Sequence, residues 1–317
     1  MILNDSIVER LLSNPSSILL ATHKDPDLDA LGSVLSLQEA LIAKGHTVSI
    51  WSLEYTCQEG HECLPHIDDM KRPCEPRQWD GLIVVDCPSL TRVPHWQSLA
   101  SIPFVFRLCI DHHHDTDQAF THTIIDQTVS SVGELLTRLF MQWQWPITPT
   151  MATHLYAAIV GDTGRFLHAN TSAAVFKAAA HLLDCGADHR GVSLCLLEEK
   201  SNEYFDKLQW VLSNRIVTGS LVYCVCPLSS PIDPFCVVDV LRQIKGTQVA
   251  LSLIERPSEI KVSIRSKTRP ILSVAQAFGG GGHLLAAGIT LNHASLEETV
   301  APIVTALQTL LNEHTHD

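Results

Sequence analysis

Short apolar runs that end in aspartate alternate along this sequence with longer segments of helical periodicity. The runs Gly81–Asp86 and Phe104–Asp111 both close on a carboxylate. The other strand-like runs are Ser17–Thr22 and His46–Ser52, and the helical patterns are Ala30–Lys44, Ser131–Trp143, Ala152–Val160 and Ser172–Cys185. Strands that alternate with helices form mostly parallel sheets with crossover helices. We therefore expect an α/β fold whose N-terminal, mostly parallel sheet is flanked by helices.

A second block of alternating pattern predicts a further domain. The chain of 317 residues is long enough for two domains with separate cores. A first domain is expected at 1–190, a charged connecting helix at 191–215 and a smaller C-terminal α/β domain at 216–317. The C-terminal patterns predict strands at Leu221–Cys226, Gln248–Glu255 and Ile260–Ser266 and helices at Pro234–Ile244 and Leu296–Leu311.

Composition and charge exclude several classes of protein. Hydrophobic residues make up 45% of the chain and charged residues 18%, which excludes a wholly disordered protein. No apolar run approaches the ~18–20 residues of a membrane helix, so we expect no membrane partner. The net charge of −12 would repel a long phosphate backbone. We therefore expect no groove for long duplex nucleic acid.

The ten cysteines raise the question of disulfides or bound zinc. The first residues, Met1–Asp5, lack the basic segment of a signal peptide, so we expect reduced thiols and a cytoplasmic location. Cys224 and Cys226 alternate in an apolar stretch and are expected in the core of a strand. The Cys- and His-rich segment 57–74 has no common zinc spacing and is interpreted as an ordinary loop, with a zinc site as the alternative.

Carboxylates and imidazoles are concentrated in four motifs, mostly at the expected carboxyl ends of the strands, where parallel sheets bind their ligands. The first motif holds one histidine and three aspartates within seven residues, whereas capping of the following helix needs only one aspartate. The others are a strand-end aspartate, an Asp-His-His run and an aspartate between two glycines. Each of these, taken alone, also fits a turn or a surface cluster. The residues are His23, Asp25, Asp27, Asp29, Asp86, Asp111, His112, His113 and Asp162.

Taken together, the motifs offer two histidine and four aspartate ligands without a thiolate. Such oxygen and nitrogen ligands suit Mn²⁺ or Mg²⁺, and the imidazoles favour Mn²⁺. The number of ligands suits two ions that share a carboxylate, an arrangement used for phosphoester hydrolysis. We therefore expect two Mn²⁺ ions, with Mg²⁺ as the alternative.

The C-terminal domain carries a separate glycine motif. Gly279–Gly282 precede His283, and successive glycines expose backbone N–H groups of the kind that cradle anions. Arg265 and Ser266 lie upstream, and an arginine can bind a phosphate through two hydrogen bonds. A flexible glycine linker beside surface charge is the alternative interpretation.

The order of these motifs resembles the DHH phosphoesterase superfamily, and the sequence Gly280–Gly288 resembles its DHH-associated domain. The resemblance runs from about Ser17 to Gly288, and the length and layout look like the nano-RNase branch. It implies that two metal ions are bound by His23, Asp27, Asp29, Asp86, His112 and Asp162. His114 is a departure, because many members have proline or a basic residue there.

The resemblance also implies roles for other residues. His113 would contact the reacting phosphate, and Asp111 would orient the histidine pair. The residues that would hold the substrate are Arg265, Ser266, Gly280, Gly281, Gly282 and His283. The segments Gly161–Phe166 and His168–Thr171 are similar to the family as well.

The function that the resemblance implies is hydrolysis of short oligonucleotides, of 3′-phosphoadenosine 5′-phosphate, or of both, by a water that two metal ions activate. Partners would be short single-stranded oligonucleotides or nucleotides, and a homodimer stays open. One alternative is hydrolysis of pyrophosphate, polyphosphate, or cyclic or linear dinucleotides by the same superfamily. A non-enzymatic alternative is a nucleotide-binding regulatory module. The glycine motif argues against pyrophosphate and polyphosphate as substrates. The complete set of expected metal ligands argues against the regulatory module.

Overall fold

The computed structural model describes Val8 and residues 12–52, 55–71, 78–113, 117–232 and 237–312. His114, residues 72–74 of the Cys- and His-rich segment, and the start of the helix predicted from Pro234 lie outside the described residues. The chain folds as two compact units, Met1–Glu199 and Lys200–Asp317. Within the described part of the chain, no helix is both long enough and apolar enough to cross a membrane.

The first unit contains a five-stranded parallel sheet. Its strands are β1 (Ser17–Ala21), β2 (Thr47–Trp51), β3 (Gly81–Val85), β4 (Phe106–Asp111) and β5 (His122–Ile125). They lie in the order β2-β1-β3-β4-β5, and every neighbouring pair is parallel. The parallel sheet and its first four strands confirm the prediction. The edge strand β5, with the sequence His-Thr-Ile-Ile, has too short an apolar run to be predicted.

Both faces of this sheet are buried, as continuous apolar strands indicate. Leu20 and Ile83 pack into one core, whereas Leu19 and Leu82 pack into a second core on the opposite face. Most side chains within β1, β3 and β4 are therefore buried by packing, whereas the edge strands β2 and β5 also carry partly exposed polar residues.

The helices of the first unit bring distant segments together at those strand ends. They are α1 (Leu28–Ala43), α2 (Trp96–Ala100), α3 (Val132–Gln142), α4 (Pro149–Asp162), α5 (Ala173–Asp184) and α6 (His189–Ser193), with a π-helical turn at Leu194–Glu198 and 3₁₀ turns at His61–Cys63, Ile67–Lys71 and Leu90–Arg92. A Cβ on Gly32 would collide with the carbonyl of His154, and one on Gly133 would lie 2.5 Å from Ala158 Cβ. Helices α1 and α3 therefore both approach α4 closely, because glycine stands at the contacts.

The second unit has a six-stranded sheet of mixed direction. Its strands are β6 (Ile216–Thr218), β7 (Leu221–Cys226), β8 (Val249–Glu255), β9 (Glu259–Ser266), β10 (Gly281–His283) and β11 (Ala286–Asn292). The order is β10-β11-β9-β8-β7-β6, and β7 and β8 are parallel while the other pairs are antiparallel. The helices are α7 (Asn202–Asn214), α8 (Val237–Arg242), α9 (Leu272–Ala277) and α10 (Leu296–Asn312).

Two small cores hold this second sheet. Cys224 and Cys226 are fully buried with Val211 of α7 on one face, as predicted for a strand core. On the other face, Ile303 and Leu307 of α10 pack against the strands. A smaller C-terminal α/β unit is thus confirmed.

Two sequence predictions differ from the structure. Residues 191–215 do not form one connecting helix, because the π-helical turn ends at Glu198 and α7 begins at Asn202. Ser201 caps α7 by accepting the N–H of Tyr204 at 3.0 Å. The pattern of charged residues alone does not indicate that a new helix starts there. The end of the glycine motif is not a loop either, because Gly281–His283 form β10 and pair with β11.

Candidate active site

Asp27 closes the turn between β1 and α1. Its Oδ1 accepts the backbone N–H groups of Asp29 at 3.0 Å and of Ala30 at 3.1 Å. Asp27 is thus the helix cap that the sequence allows, and one carboxylate is enough for that purpose. The capping role leaves His23 and Asp29 of the same motif to be explained.

Asp29 is buried and fixed by the start of a helix more than a hundred residues further along the chain. Its Oδ2 accepts the N–H of Val132 at 2.8 Å, and its Oδ1 accepts the N–H of Gly133 at 2.8 Å. Ser33 Oγ donates to Oδ1 at 3.3 Å. The N–H groups at a helix N-terminus favour a carboxylate, so Asp29 joins α1 to α3 while it faces the other acidic residues. Sequence reasoning missed Ser33 and Gly133 as residues that position Asp29.

Asp86, directly after β3, has a strained backbone and a buried carboxylate oxygen that accepts no hydrogen bond from the described residues. Its φ is 53°, a left-handed conformation that costs a residue with a side chain ~1–2 kcal/mol. The side chain is 4% exposed, and Oδ1 has no hydrogen-bond partner among the described residues. Strain and an unsatisfied buried oxygen at one residue are typical of a functional site.

Asp111 orients the two histidines that follow it. Its Oδ1 accepts the backbone N–H of His112 at 2.6 Å and of His113 at 3.2 Å, and it lies 2.7 Å from His113 Nδ1. The contact to Nδ1 turns the other ring nitrogen of His113, Nε2, away from Asp111. The Asp-His-His run therefore has a local geometry that distinguishes its two imidazoles.

Asp162 is the last residue of α4, and the chain beyond it holds its backbone in place. Asn170 Nδ2 donates to the carbonyl of Asp162 at 3.2 Å, and His168 Nδ1 lies 3.3 Å from the same oxygen. Gly164, Arg165 and Phe166 all have left-handed φ, which turns the chain back toward the end of α4. The similarity of His168–Thr171 to the family has a structural counterpart here, because two of these side chains position Asp162.

The six predicted metal ligands converge at this end of the sheet. His112 Nε2 lies 3.3 Å from Asp162 Oδ2, 3.6 Å from Asp86 Oδ1 and 3.9 Å from Asp29 Oδ2. His23 Nε2 lies 3.6 Å from Asp86 Oδ2. Among the described residues, ligand atoms within 4.8 Å of one another form three groups: His23, Asp27 and Asp86; Asp29, His112 and Asp162; and Asp86, Asp111, His112 and His113. Asp86 and His112 each belong to two of these groups.

The carboxylates of this cluster lie close to one another, which disfavours their charged forms. Burial, followed by the charge of Asp86, raises the pKa of Asp29. Burial, followed by the charges of Asp27 and Asp86, raises the pKa of Asp162. Burial lowers the pKa of both histidines, but Asp86 outweighs it and raises the pKa of His23 to about 9, and Asp86 together with Asp29 and Asp162 raises that of His112 to about 10.

The donor set fits divalent metal ions. Ligand atoms ~2.1 Å from an octahedral ion lie about 3 Å from one another, close to the separations of 3.3–3.9 Å around His112. Asp86 Oδ1 makes no hydrogen bond among the described residues, and burial together with neighbouring carboxylates raises the pKa of Asp29 and Asp162. A cation bound among these groups would favour their ionised forms. The cluster of acidic residues and histidines is therefore suited to metal binding.

In the second unit, Arg265 and His283 lie on the same face of the sheet. Arg265 of β9 pairs with Ala286 of β11, which pairs in turn with His283 of β10. Directly opposite residues of antiparallel strands project from the same face, so Arg265 and His283 share a face with only a small residue between them. Arg265 Nη1 donates to the carbonyl of Ile264 at 3.1 Å, and Nε lies 3.8 Å from Asp239 Oδ1.

The other predicted substrate-binding residues occupy different positions. Ser266 lies on the opposite face, is buried and accepts the N–H of Arg269 at its Oγ at 2.8 Å. Gly280 donates its N–H to the carbonyl of Ala275 at 2.8 Å, and Gly281 and Gly282 belong to β10. The structure thus has a short edge strand where the sequence predicts a cradle of open N–H groups.

Comparison with known proteins identifies the family. Residues 17–159 match the DHH family, N-terminal domain. Over 314 residues the chain is 31% identical to the bifunctional oligoribonuclease and PAP phosphatase NrnA of Thermus thermophilus. The aligned region covers 95% of this chain and 92% of the relative. The protein of the same name from Bacillus subtilis is 28% identical over 324 residues, or 96% of this chain and 98% of the relative.

A solved structure shares the fold across both units. An exopolyphosphatase-related protein from Bacteroides fragilis superposes with a TM-score of 0.82 at 21% identity and covers 98% of this chain and 96% of its own. At that identity the likeness concerns the fold alone. The identity to the Thermus thermophilus relative, by contrast, extends over nearly the whole of both sequences. The chain therefore belongs to the DHH family of phosphoesterases, which are hydrolases of phosphoester bonds.

Proposed function

We propose that the protein is a metal-dependent phosphoesterase that hydrolyses short oligonucleotides and 3′-phosphoadenosine 5′-phosphate. The observation that supports it most is the convergence of ligands from four separate chain segments, with Asp86 in two of the three ligand groups. The curated relatives from Thermus thermophilus and Bacillus subtilis are both named bifunctional oligoribonuclease and PAP phosphatase. Their likeness over nearly the whole chain favours the same pair of substrates.

The metal ions would be held by the six convergent side chains, with Asp86 shared between two ions. These residues are His23, Asp27, Asp29, Asp86, His112 and Asp162. When bound, divalent ions supply positive charge opposite a phosphate and make water a nucleophile at neutral pH. Carboxylates and imidazoles without a thiolate favour Mn²⁺, with Mg²⁺ as the alternative.

We assign His113 to the reacting phosphate. Its side chain is 24% exposed, against 9% for that of His112, so it is the more accessible member of the pair. Asp111 fixes the ring through Nδ1, which leaves Nε2 as the nitrogen that can contact a phosphate oxygen or move a proton. His112, whose Nε2 faces three carboxylates, is assigned to the metal ions.

The second unit is proposed to hold one end of the nucleotide substrate. Arg265 and His283 share a sheet face, and a guanidinium binds phosphate through two parallel hydrogen bonds. His283 can stack on a base or donate to a phosphate. The net charge of −12 favours short substrates over long nucleic acid, whose backbone the protein would repel.

The test is hydrolysis by purified protein that has been treated with a chelator and then supplied with Mn²⁺ or Mg²⁺. We expect Mn²⁺ to restore release of mononucleotide from a labelled dinucleotide and release of phosphate from 3′-phosphoadenosine 5′-phosphate. Pyrophosphate, polyphosphate and cyclic dinucleotides belong in the same panel. Hydrolysis of pyrophosphate without hydrolysis of either nucleotide substrate would contradict the proposal, and so would nucleotide binding without any turnover.

We also propose a cytoplasmic location. The eight cysteines that the structure describes are all free thiols, which are typical of proteins in reducing compartments. Cell fractionation with antibody detection tests this, and recovery of the protein outside the cytoplasmic fraction would contradict it.

A further inference from the structure

A cavity in the first unit borders the candidate metal centre and shares only His23 with the six predicted metal ligands. It opens beside His23, and its other walls come from the turn after β1, the end of β2 and the segment that follows it. The lining includes Thr22, Trp51, Tyr55, Gln58, Met70 and Pro94. Its volume is about 120 Å³, which is several times the ~10–15 Å³ that one water molecule requires. The cavity can therefore hold a chemical group larger than a water molecule.

Two aromatic side chains line the cavity, and hydrogen bonds fix both of them. Trp51 Nε1 donates to the carbonyl of Pro94 at 2.7 Å. The hydroxyl of Tyr55 lies 3.0 Å from Nδ1 of the buried His61. Because each polar group is already engaged inside the protein, the ring surfaces are held in place without a ligand. Fixed aromatic surfaces stack on planar groups at little cost in side-chain entropy.

Two polar side chains of the lining, Thr22 and Gln58, make no hydrogen bond among the described residues. Thr22 is 4% exposed, and its Oγ1 has no hydrogen-bond partner among the described residues. The side-chain amide of Gln58 makes no hydrogen bond within the described part of the chain either, since only its backbone atoms are engaged. Hydroxyl and amide can both donate and accept.

We infer that this cavity binds a nucleobase of the substrate, with Trp51 stacking on the base and the amide of Gln58 contacting its polar edge. The inference rests on the proposed function, because it takes the substrate to be a nucleotide. His23 lines the cavity and its Nε2 lies 3.6 Å from Asp86 Oδ2. The base in the cavity therefore belongs to a nucleotide whose phosphate reaches the metal centre. Since the amide can donate or accept, preference among the four bases should be weak.

Direct binding of adenosine to the full-length protein tests the inference without any need for turnover. Equilibrium dialysis should show that adenosine binds and that ribose does not, with and without added Mn²⁺. Trp51→Ala should weaken adenosine binding about tenfold or more, because stacking on one base is worth ~1–3 kcal/mol. Trp51→Phe should retain most of the affinity, and Gln58→Leu should weaken it about two- to tenfold through loss of the amide.

Trp96→Ala is the matched control. Trp96 and Trp51 are both partly buried against the same hydrophobic core, but Trp96 does not line the cavity. If the two alanine variants lose adenosine binding equally, Trp51 supports the fold and the inference is wrong. Unchanged binding in Trp51→Ala would also overturn it.

A kinetic comparison separates this inference from the proposed function. In Trp51→Ala, the KM for an intact dinucleotide should rise about tenfold more than the KM for a dinucleotide that lacks one base. Equal changes for the two substrates, with hydrolysis still measurable, contradict the base-binding cavity and leave the proposed function standing. Absence of hydrolysis by the unmodified protein contradicts the proposed function, and the dialysis result then decides the inference alone.

Discussion

The two sheets of this molecule present functional side chains in opposite ways. In the first unit, both faces of the parallel sheet are packed, and the predicted ligands lie at the strand ends and at the adjoining ends of α1 and α4. In the second unit, Ile260, Val262 and Ile264 of β9 are buried, whereas the residues that alternate with them are partly exposed. Arg265, whose side chain is 32% exposed, therefore lies on a partly covered sheet face, while Asp86 lies deep in a cluster of carboxylates.

Because of this difference in surroundings, the two regions should differ in their sensitivity to substitution. A strand-end residue such as Asp86 is surrounded by charges that depend on it, so its loss changes several groups together. A residue on a partly exposed sheet face has few interacting neighbours, so its substitution should mainly weaken ligand binding. The four predictions below test this contrast, beginning with the largest expected effect.

Asp86→Asn should reduce Mn²⁺-stimulated turnover by roughly a thousandfold or more, equivalent to about 4 kcal/mol in the barrier. The amide removes a negative charge that two ligand groups share. Steady-state hydrolysis of a labelled dinucleotide measures the loss, and circular dichroism checks the fold. Asp184→Asn, at the exposed end of α5, is the control and should change nothing. Near-normal turnover in Asp86→Asn would refute the shared-ligand assignment.

Substitution of the two histidines after Asp111 should have different effects on metal content and on the chemical step. His112→Ala should lower the metal content, because His112 Nε2 faces three carboxylates of the cluster. His113→Ala should keep the metal ions but slow the chemical step by roughly 10²–10⁴-fold, the usual scale for losing a proton-transfer group. Metal analysis and single-turnover rates on both variants make the comparison. Equal metal loss in both would contradict the division of roles.

Gly282→Ala should disturb the open sheet edge far more than Gly281→Ala. Gly282 has a φ of 132°, and a Cβ there would lie 2.5 Å from the carbonyl oxygen of Ala286. A Cβ on Gly281 meets nothing within 4 Å. Substitution at an incompatible φ should destabilise the β10–β11 pairing by about 1–3 kcal/mol. Hydrogen exchange of the β11 amides measures this, and equal exchange rates in the two variants would count against it.

Arg265→Ala should raise the KM for a dinucleotide about tenfold, since a hydrogen bond to a charged group is worth ~1.5–3 kcal/mol. The change in kcat should be much smaller, because Arg265 lies far in sequence from every predicted metal ligand. Loss of the exposed contact to Asp239 should contribute little to stability. Lys267→Ala removes the same charge at an exposed position just beyond β9 and is the control. A kcat loss as large as the KM change would show that Arg265 takes part in the chemistry or in the fold.

The strand-end cluster was largely predictable, because its signals are local. An apolar run that closes on aspartate shows both the strand and the place where the chain leaves the sheet, as at Val85–Asp86. What sequence reasoning could not show is contact between distant segments. The hydrogen bonds from Val132 and Gly133 to Asp29 depend on how α1 and α3 pack against α4.

The second unit was less predictable for a related reason. Glycines carry little preference for a strand, so β10 emerges only from its pairing with β11. That pairing places Arg265 and His283 on one face and turns Ser266 to the other, although Arg265 and Ser266 are adjacent in sequence. The cavity around Trp51 was not predicted either, because its walls come from segments that no motif connects.

The spread of the ligands along the chain has a consequence for the order of events during synthesis. His23 leaves the ribosome early, whereas Asp162 follows only after most of the first unit has been made, and domains generally fold as units. A nascent chain that ends before α4 holds several carboxylates of the cluster but not the complete ligand set. An ion that binds only the finished unit stabilises it by about 2.7 kcal/mol at a hundredfold excess over its Kd. Metal occupancy would then indicate that the first unit has finished folding. A chain truncated before Asp162 would retain the repulsion between the carboxylates of the cluster without the ion that offsets it.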